Sequence, residues 1–150
     1  RAAFQHRRVG IDVVDRPPER GAHREPVHPV RPRVFASRRF PPRVREELER
    51  SFELDLNDSE WPLGREDVLR RISGCDGLML MLTDRVDDEF LDAAGPQLHV
   101  VSNYAVGFDN VDVPACTARG VAVGNTPGVL TETTADLAFA LLMAAAVLCA

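Results

Sequence analysis

LHVVSNYAVGFDNVD, from Leu98 to Asp112, is the stretch whose reading decides the fold. Leu98, Val100 and Val101 make an apolar run that suits a strand covered on both faces. After it come Asn103, Gly107, Asp109 and Asn110, residue types that tolerate tight or left-handed backbone. Asp112 stands where a helix N-cap belongs, and Pro114 falls in the first turn, where its missing N–H costs nothing. A strand, a glycine-containing loop and a new helix form the repeating joint of an open α/β sheet, and ligands in such sheets bind beyond the carboxyl ends of strands. A small anion fits there against backbone N–H groups around Val106 and Gly107. An ordinary strand-to-helix turn with no ligand has the same spacing, and spacing alone favours it. A Cβ at Gly107 is expected either to strain the backbone or to block close approach of a carboxylate.

The same alternation recurs on both sides of this loop. Residues 33–37 read as a short strand, 42–50 as an amphipathic helix with Val44 and Leu48 on one face, and 52–56 as a half-buried or edge strand. A polar loop, 57–63, carries the single tryptophan, Trp61. The helix over 65–72 turns Val68, Leu69 and Ile72 inward and stops at Gly74. Residues 78–82 (LMLML) form a continuous apolar strand, and Thr83, Asp84 and Arg85 make the loop at its carboxyl end. Asp84 and Arg85 read as a solvated pair. A short helix over 87–94 is closed by Gly95 and Pro96. Past the central loop, a helix over 113–119 ends at Gly120, residues 121–123 are a fifth strand, and 125–129 a turn. This order predicts a parallel sheet with helices on both faces.

Composition narrows the function classes. The chain has 150 residues, 45% hydrophobic and 27% charged, enough for one domain with a core. A net charge of −5 argues against nucleic acid as a partner. Cys75, Cys116 and Cys149 are odd in number and far apart, which suits buried thiols in the cytoplasm. Residues 1–31 are rich in Arg and Pro and, apart from the brief patch VGIDVV, follow no period; disorder is expected, and the segment is expected to be dispensable. His6, His23 and His28 in that segment have no ligand spacing, and no metal site is expected. The N-terminus has no apolar core between its charges, so no signal peptide is read there.

The last segment differs from the rest. Thr133 and Asp136 have capping-box spacing, and from Leu137 onward no charge appears. The apolar run 137–150 is too short to span a bilayer and reads as a helix buried on all sides, so no membrane partner is expected. Nothing after Ala150 covers it, which suggests a chain cut inside a larger protein.

SNYAVGFDNVD resembles the substrate loop of the D-isomer-specific 2-hydroxyacid dehydrogenases, close to the glyoxylate and hydroxypyruvate reductase branch. GVAVGNTPGVLTETTADLAFALLMAAA continues the resemblance downstream, and RPRVFASRRFPPRVREELE and GLMLMLTDRVDDEFLDAAGPQL carry it upstream, to roughly residues 32–146. The resemblance implies a flavodoxin-like, doubly wound substrate domain over 32–129 and, over 130–150, the first helix of a truncated Rossmann domain for NAD or NADP. It implies reduction of small 2-keto acids, glyoxylate or hydroxypyruvate, to D-2-hydroxy acids by a cytoplasmic homodimer. Val106 and Gly107 would hold the substrate carboxylate through their N–H groups, Leu82 and Thr83 would line the pocket, and Thr134 would approach the coenzyme or simply cap its helix. The catalytic Arg, acidic residue and His of the family lie beyond this segment, so no catalytic residue is expected in the chain. His99 precedes the loop and is no candidate, and no G-x-G-x-x-G occurs. The 150 residues alone are expected to be inactive. The alternative is a non-catalytic relative, such as the C-terminal-binding corepressors, that uses the fold to bind proteins.

Overall fold

The computed structural model describes residues 12–15, 31–128 and 130–148. In chain order its elements are β1 (Asp12–Asp15), β2 (Arg33–Ala36), α1 (Pro42–Ser51), β3 (Glu53–Leu56), α2 (Arg65–Ile72), β4 (Gly77–Leu80), α3 (Asp88–Ala94), β5 (Val100–Asn103), α4 (Val113–Ala118), β6 (Ala122–Asn125) and α5 (Thr131–Leu148). One sheet of order β1-β6-β5-β4-β2-β3 holds all six strands. Its pairs are parallel except β1 with β6, which is antiparallel.

The winding reverses once. From β2 the chain crosses to β3 on one side, then returns past β2 to β4, β5 and β6 on the other. Right-handed crossovers therefore put α1 on one face and α2, α3 and α4 on the opposite face. The face under α2–α4 carries the core. Phe35, Leu78, Val101 and Val123 lie in one register row, and Val68, Ile72, Phe90, Leu91, Ala94 and Cys116 pack against them from the helices. Asp55 continues that row at the β3 edge, and Arg71 of α2 pairs with it while its guanidinium lies 5.0 Å over the Phe35 ring. An edge position on the core face thus tolerates a carboxylate because a neighbouring helix supplies its counter-charge.

Local chemistry sets the helix ends. Gly74 (φ 78°), Gly95 (φ 94°) and Gly120 (φ 70°) follow α2, α3 and α4 in the left-handed half of φ space, which residues with a Cβ disfavour. Asp87 accepts the Phe90 N–H at 3.1 Å to cap α3, and Asp112 accepts the Ala115 N–H at 2.9 Å to cap α4.

Five expectations need correction. Val100 is 42% exposed, so β5 is not covered on both faces: Leu98 and Val101 are buried, while Val100 lies on the face that carries only α1. β4 stops at Leu80 because the Asp84 carboxylate accepts the Met81 N–H at 2.8 Å and turns the chain, leaving Leu82 exposed. For the same reason Asp84 is not a solvated loop residue: it also accepts the Ser37 hydroxyl, bridging the ends of β2 and β4. α1 buries no residue, and Val44 is exposed. Finally, β1 lies inside the segment expected to be disordered. Its pairing meets the backbone groups of β6 that would otherwise form an open edge. The other residues of 1–30, including His6, His23 and His28, and also Cys149, lie outside the described residues.

α5 departs from its expected start and burial. The helix begins at Thr131, two residues before the predicted cap, and the Thr133 hydroxyl donates to the Leu130 carbonyl at 3.1 Å. No residue of α5 is buried. With 18 residues and a mean hydropathy of 1.4, it is long and apolar enough to cross a bilayer by length and composition, contrary to the shorter reading.

Candidate functional site

The loops at the carboxyl ends of β4, β5 and β6 are tied together by asparagine amides. Asn103 ends β5 and Asn125 ends β6; because Val101 pairs with Val123 and Ser102 with Gly124, the two asparagines fall side by side on the core face. Both are buried. The Asn103 amide donates to the Gly107 carbonyl at 2.9 Å, and the Asn125 amide donates to the Val106 carbonyl at 2.7 Å. Asn110 reaches across to the other loop and donates to the Met81 carbonyl at 3.2 Å and to the Asp84 carbonyl at 2.8 Å. Its own backbone carbonyl accepts the Val86 N–H at 2.8 Å, which locks the return of the loop toward α4.

The opposite polarity faces outward. Among the described residues the N–H groups of Val106, Gly107 and Phe108 have no acceptor, and neither do those of Leu82 and Thr83. Val106, Gly107, Leu82 and Thr83 are all exposed. Leu82, Tyr104, Val106 and Phe108 are exposed apolar side chains on the same two loops, with Tyr104 set edge-on to Phe40 at 5.7 Å between ring centroids. Donors without a partner on loops that carry apolar side chains suit a small anion whose remaining surface is carbon, and they need no charged side chain.

Four of the five expected site residues therefore sit on two loops joined through Asn110. Thr134 does not join them: it is exposed in the first turn of α5, and its N–H bonds to the Leu130 carbonyl at 3.0 Å. Thr83 also borders a cleft of about 210 Å³ on the α2–α3 side, lined by Leu63, Arg65, Val68, Asp84, Arg85 and Phe90, which Val106 and Gly107 do not reach. A larger hollow, about 340 Å³, lies between Leu91, Leu98, Arg119 and Val121, at the end of the sheet away from these loops.

Gly107 does not have the backbone strain expected of it. It is absent from the positive-φ glycines, and a Cβ built on it meets only an Asp109 oxygen at 4.0 Å. What remains of that expectation is the space a methyl group would take from a ligand. The described cysteines offer no nucleophile: burial pushes the Cys75 thiol up and takes Cys116 to about 11. His99 is exposed before β5, at the far end of the strand from the loop.

Asn125, Asn110, Ser37 and Asp84 were not picked out as functional from the sequence. The available signal was an asparagine closing each of two apolar strands, at residues 103 and 125.

Comparison with known proteins bears on the fold and the family. The family model for the catalytic domain of D-isomer specific 2-hydroxyacid dehydrogenases matches residues 34–146. The glyoxylate reductase of Korarchaeum cryptofilum is 53% identical over 117 residues, which is 78% of this chain and 35% of that protein. That of Thermococcus kodakarensis is 46% identical, again over 78% of this chain and 35% of its own length. This chain thus spans about a third of the curated relatives it matches. Among solved structures, a protein from Thermus thermophilus superposes with a TM-score of 0.68 at 42% identity, covering 75% of this chain and 36% of that one. An NADPH-dependent glyoxylate/hydroxypyruvate reductase from Sinorhizobium meliloti, in complex with NADP and malonate, superposes with a TM-score of 0.59 at 35% identity, covering 75% of this chain and 34% of that one. Five parallel strands wound about one reversal within the six-stranded sheet, and a family match across residues 34–146, place this chain in the D-isomer specific 2-hydroxyacid dehydrogenase family.

Proposed function

We propose that the chain is the substrate-binding part of an NAD(P)-dependent oxidoreductase that reduces small 2-keto acids, glyoxylate and hydroxypyruvate, to D-2-hydroxy acids. The observation that carries this reading is the set of N–H groups at Val106 and Gly107, without acceptors among the described residues, on a braced loop. They would receive the substrate's carboxylate, leaving its keto group toward solvent. Leu82 and Thr83 would close the pocket from the β4 side. The Sinorhizobium relative was solved with malonate, a small carboxylate, which supports a ligand of this class.

A nicotinamide dinucleotide would supply the hydride. The sequence has no glycine-rich dinucleotide loop, so this chain's share of the coenzyme site would be limited to Thr134 at the start of α5. The substrate domain would run over 32–129 and the coenzyme domain would start in 130–150. The orienting arginine, the general acid and the carboxylate that tunes it would come from outside these residues. In this reading the whole protein is cytoplasmic and a homodimer.

A domain exchange tests the proposal. The matched 117 residues of the Korarchaeum glyoxylate reductase are replaced by those of this chain, and glyoxylate-dependent oxidation of NADH and NADPH is followed. Turnover within about tenfold of the parent is expected, since each side keeps its own part of the site. A folded hybrid that binds coenzyme but turns over neither glyoxylate nor hydroxypyruvate would sink the reading.

A further inference from the structure

We propose that Asn103 and Asn125 are positioning residues which, acting as a pair, aim the loop's N–H groups at the substrate carboxylate and recruit the Phe108 N–H as a further donor. The inference rests on the proposed function and names a part of the machinery which that reading leaves open.

The argument starts from the peptide unit. In a trans peptide the C=O of one residue and the N–H of the next point in opposite directions. The Asn125 amide holds the Val106 carbonyl at 2.7 Å, so the Gly107 N–H is directed away from Asn125. The Asn103 amide holds the Gly107 carbonyl at 2.9 Å, so the Phe108 N–H is directed away from Asn103. The two asparagines lie in register at the ends of neighbouring strands, so two consecutive peptides are pulled from the same floor. Both N–H groups lack an acceptor among the described residues.

Without that hold the loop has an alternative. Residues 106–109 are exposed, and a flip of either peptide would turn a carbonyl oxygen toward the anion and an N–H away from it. One flip changes attraction into repulsion at that position. A glycine at 107 makes such a flip cheap, because both halves of φ space are open to it. The asparagines remove the choice, and their burial keeps water from competing for the carbonyls. Asn103 is itself fixed by Asn110, which accepts from its amide at 3.1 Å, so the floor is rigid before any ligand arrives.

The test is a two-dimensional amide NMR titration of the 150-residue chain with glyoxylate. In the wild type the Val106, Gly107 and Phe108 amides are expected to shift saturably. Asn125→Asp and Asn103→Asp keep the side-chain size and exchange the donor for an acceptor. At about pH 7.5 each should weaken glyoxylate at least about tenfold, the scale of one lost orienting hydrogen bond. At about pH 4.5 a carboxyl group facing a carbonyl oxygen is protonated and donates again, so affinity should return toward the wild-type value. Relief of charge repulsion between the aspartate and glyoxylate would give the same recovery, so the uncharged Ser variants, whose weakening should persist at both pH values, assign the effect to the lost hydrogen bond. Asn103→Ser and Asn125→Ser, shorter and uncharged, serve if an aspartate blocks folding, and each is expected to weaken binding by a similar factor. Wild-type affinity in folded Ser variants, or in Asp variants at about pH 7.5, would overturn the role of the pair while leaving the anion site intact. Absence of any shift at 106–108 in the wild type would overturn the site itself, and the role of the asparagine pair with it.

Discussion

A methyl group at position 107 meets nothing nearer than 4.0 Å, and the backbone there is not left-handed. Gly107→Ala should therefore leave stability within about 0.5 kcal/mol of wild type, as for a surface change that disturbs no special conformation. It should still weaken glyoxylate severalfold, because the Cβ occupies space beside the donors. Chemical denaturation and the NMR titration read the two effects separately, and a large loss of stability would show that the loop needs a conformation only glycine supplies. The residues flagged from sequence, Val106 and Gly107, lie on the exposed side of a turn whose composition advertises it. Asn103 and Asn125 were not legible as a pair, because their partnership depends on a strand register between positions that 21 intervening residues separate in sequence. Asp84 was misread for a related reason: a carboxylate next to an arginine looks solvated until its Ser37 partner, 47 residues away, is brought beside it.

At the scale of elements, α3 shows how a cap and a charge cooperate. Burial pushes the Asp87 carboxyl up, but the Arg65 hydrogen bond, the Phe90 N–H and the charges of Arg65 and Arg85 outweigh it, so the group stays below its ordinary value. A lowered value in the folded state means that the ionised side chain stabilises the fold above the ordinary carboxylate range. That contribution is lost as pH falls through the lowered value. Asp87→Ala should cost about 1 kcal/mol near neutrality. The gap to wild type in urea midpoint should narrow below about pH 4. A gap that does not depend on pH would assign the whole effect to shape. The edge of the sheet carries the second element-scale expectation. Removing residues 1–31 strips β1 from β6, and the melting temperature should fall by roughly 2–5 °C, as for the loss of about 1 kcal/mol in a domain of this size. An unchanged melting temperature would restore the view that the segment is dispensable. Glycine stops and aspartate caps made the helix ends readable. β1 was not readable, because four residues carry too little periodicity to separate a strand from coil. Nor was the exposure of Val100: an apolar run looks the same whether one face or both are covered.

At the scale of the whole molecule, the chain divides into a sheet with a packed core and a helix with none. α5 exposes Leu137, Phe139, Leu141, Leu142, Val147 and Leu148, and no residue in it is buried. Apolar surface of that extent drives association, so the purified 150-residue chain should elute as an oligomer unless detergent covers α5, and the amide titration is run in that detergent. Catalysis should be absent. In the proposed reading the N–H groups at Val106 and Gly107 would bind a carboxylate, but lowering the barrier to hydride transfer also requires a bound dinucleotide held against the keto carbon and a proton donor at its oxygen. The sequence has no glycine-rich dinucleotide loop, and the one histidine among the described residues, His99, is exposed at the amino end of β5. Orientation and proton transfer each contribute orders of magnitude to such a rate. The expected outcome is therefore split: saturable glyoxylate shifts at the β5 loop, and no glyoxylate-dependent loss of NADH or NADPH absorbance with the same sample. Measurable turnover by the 150 residues alone would mean that the chemistry resides here, and the division of labour between this chain and the rest of a dehydrogenase would have to be redrawn.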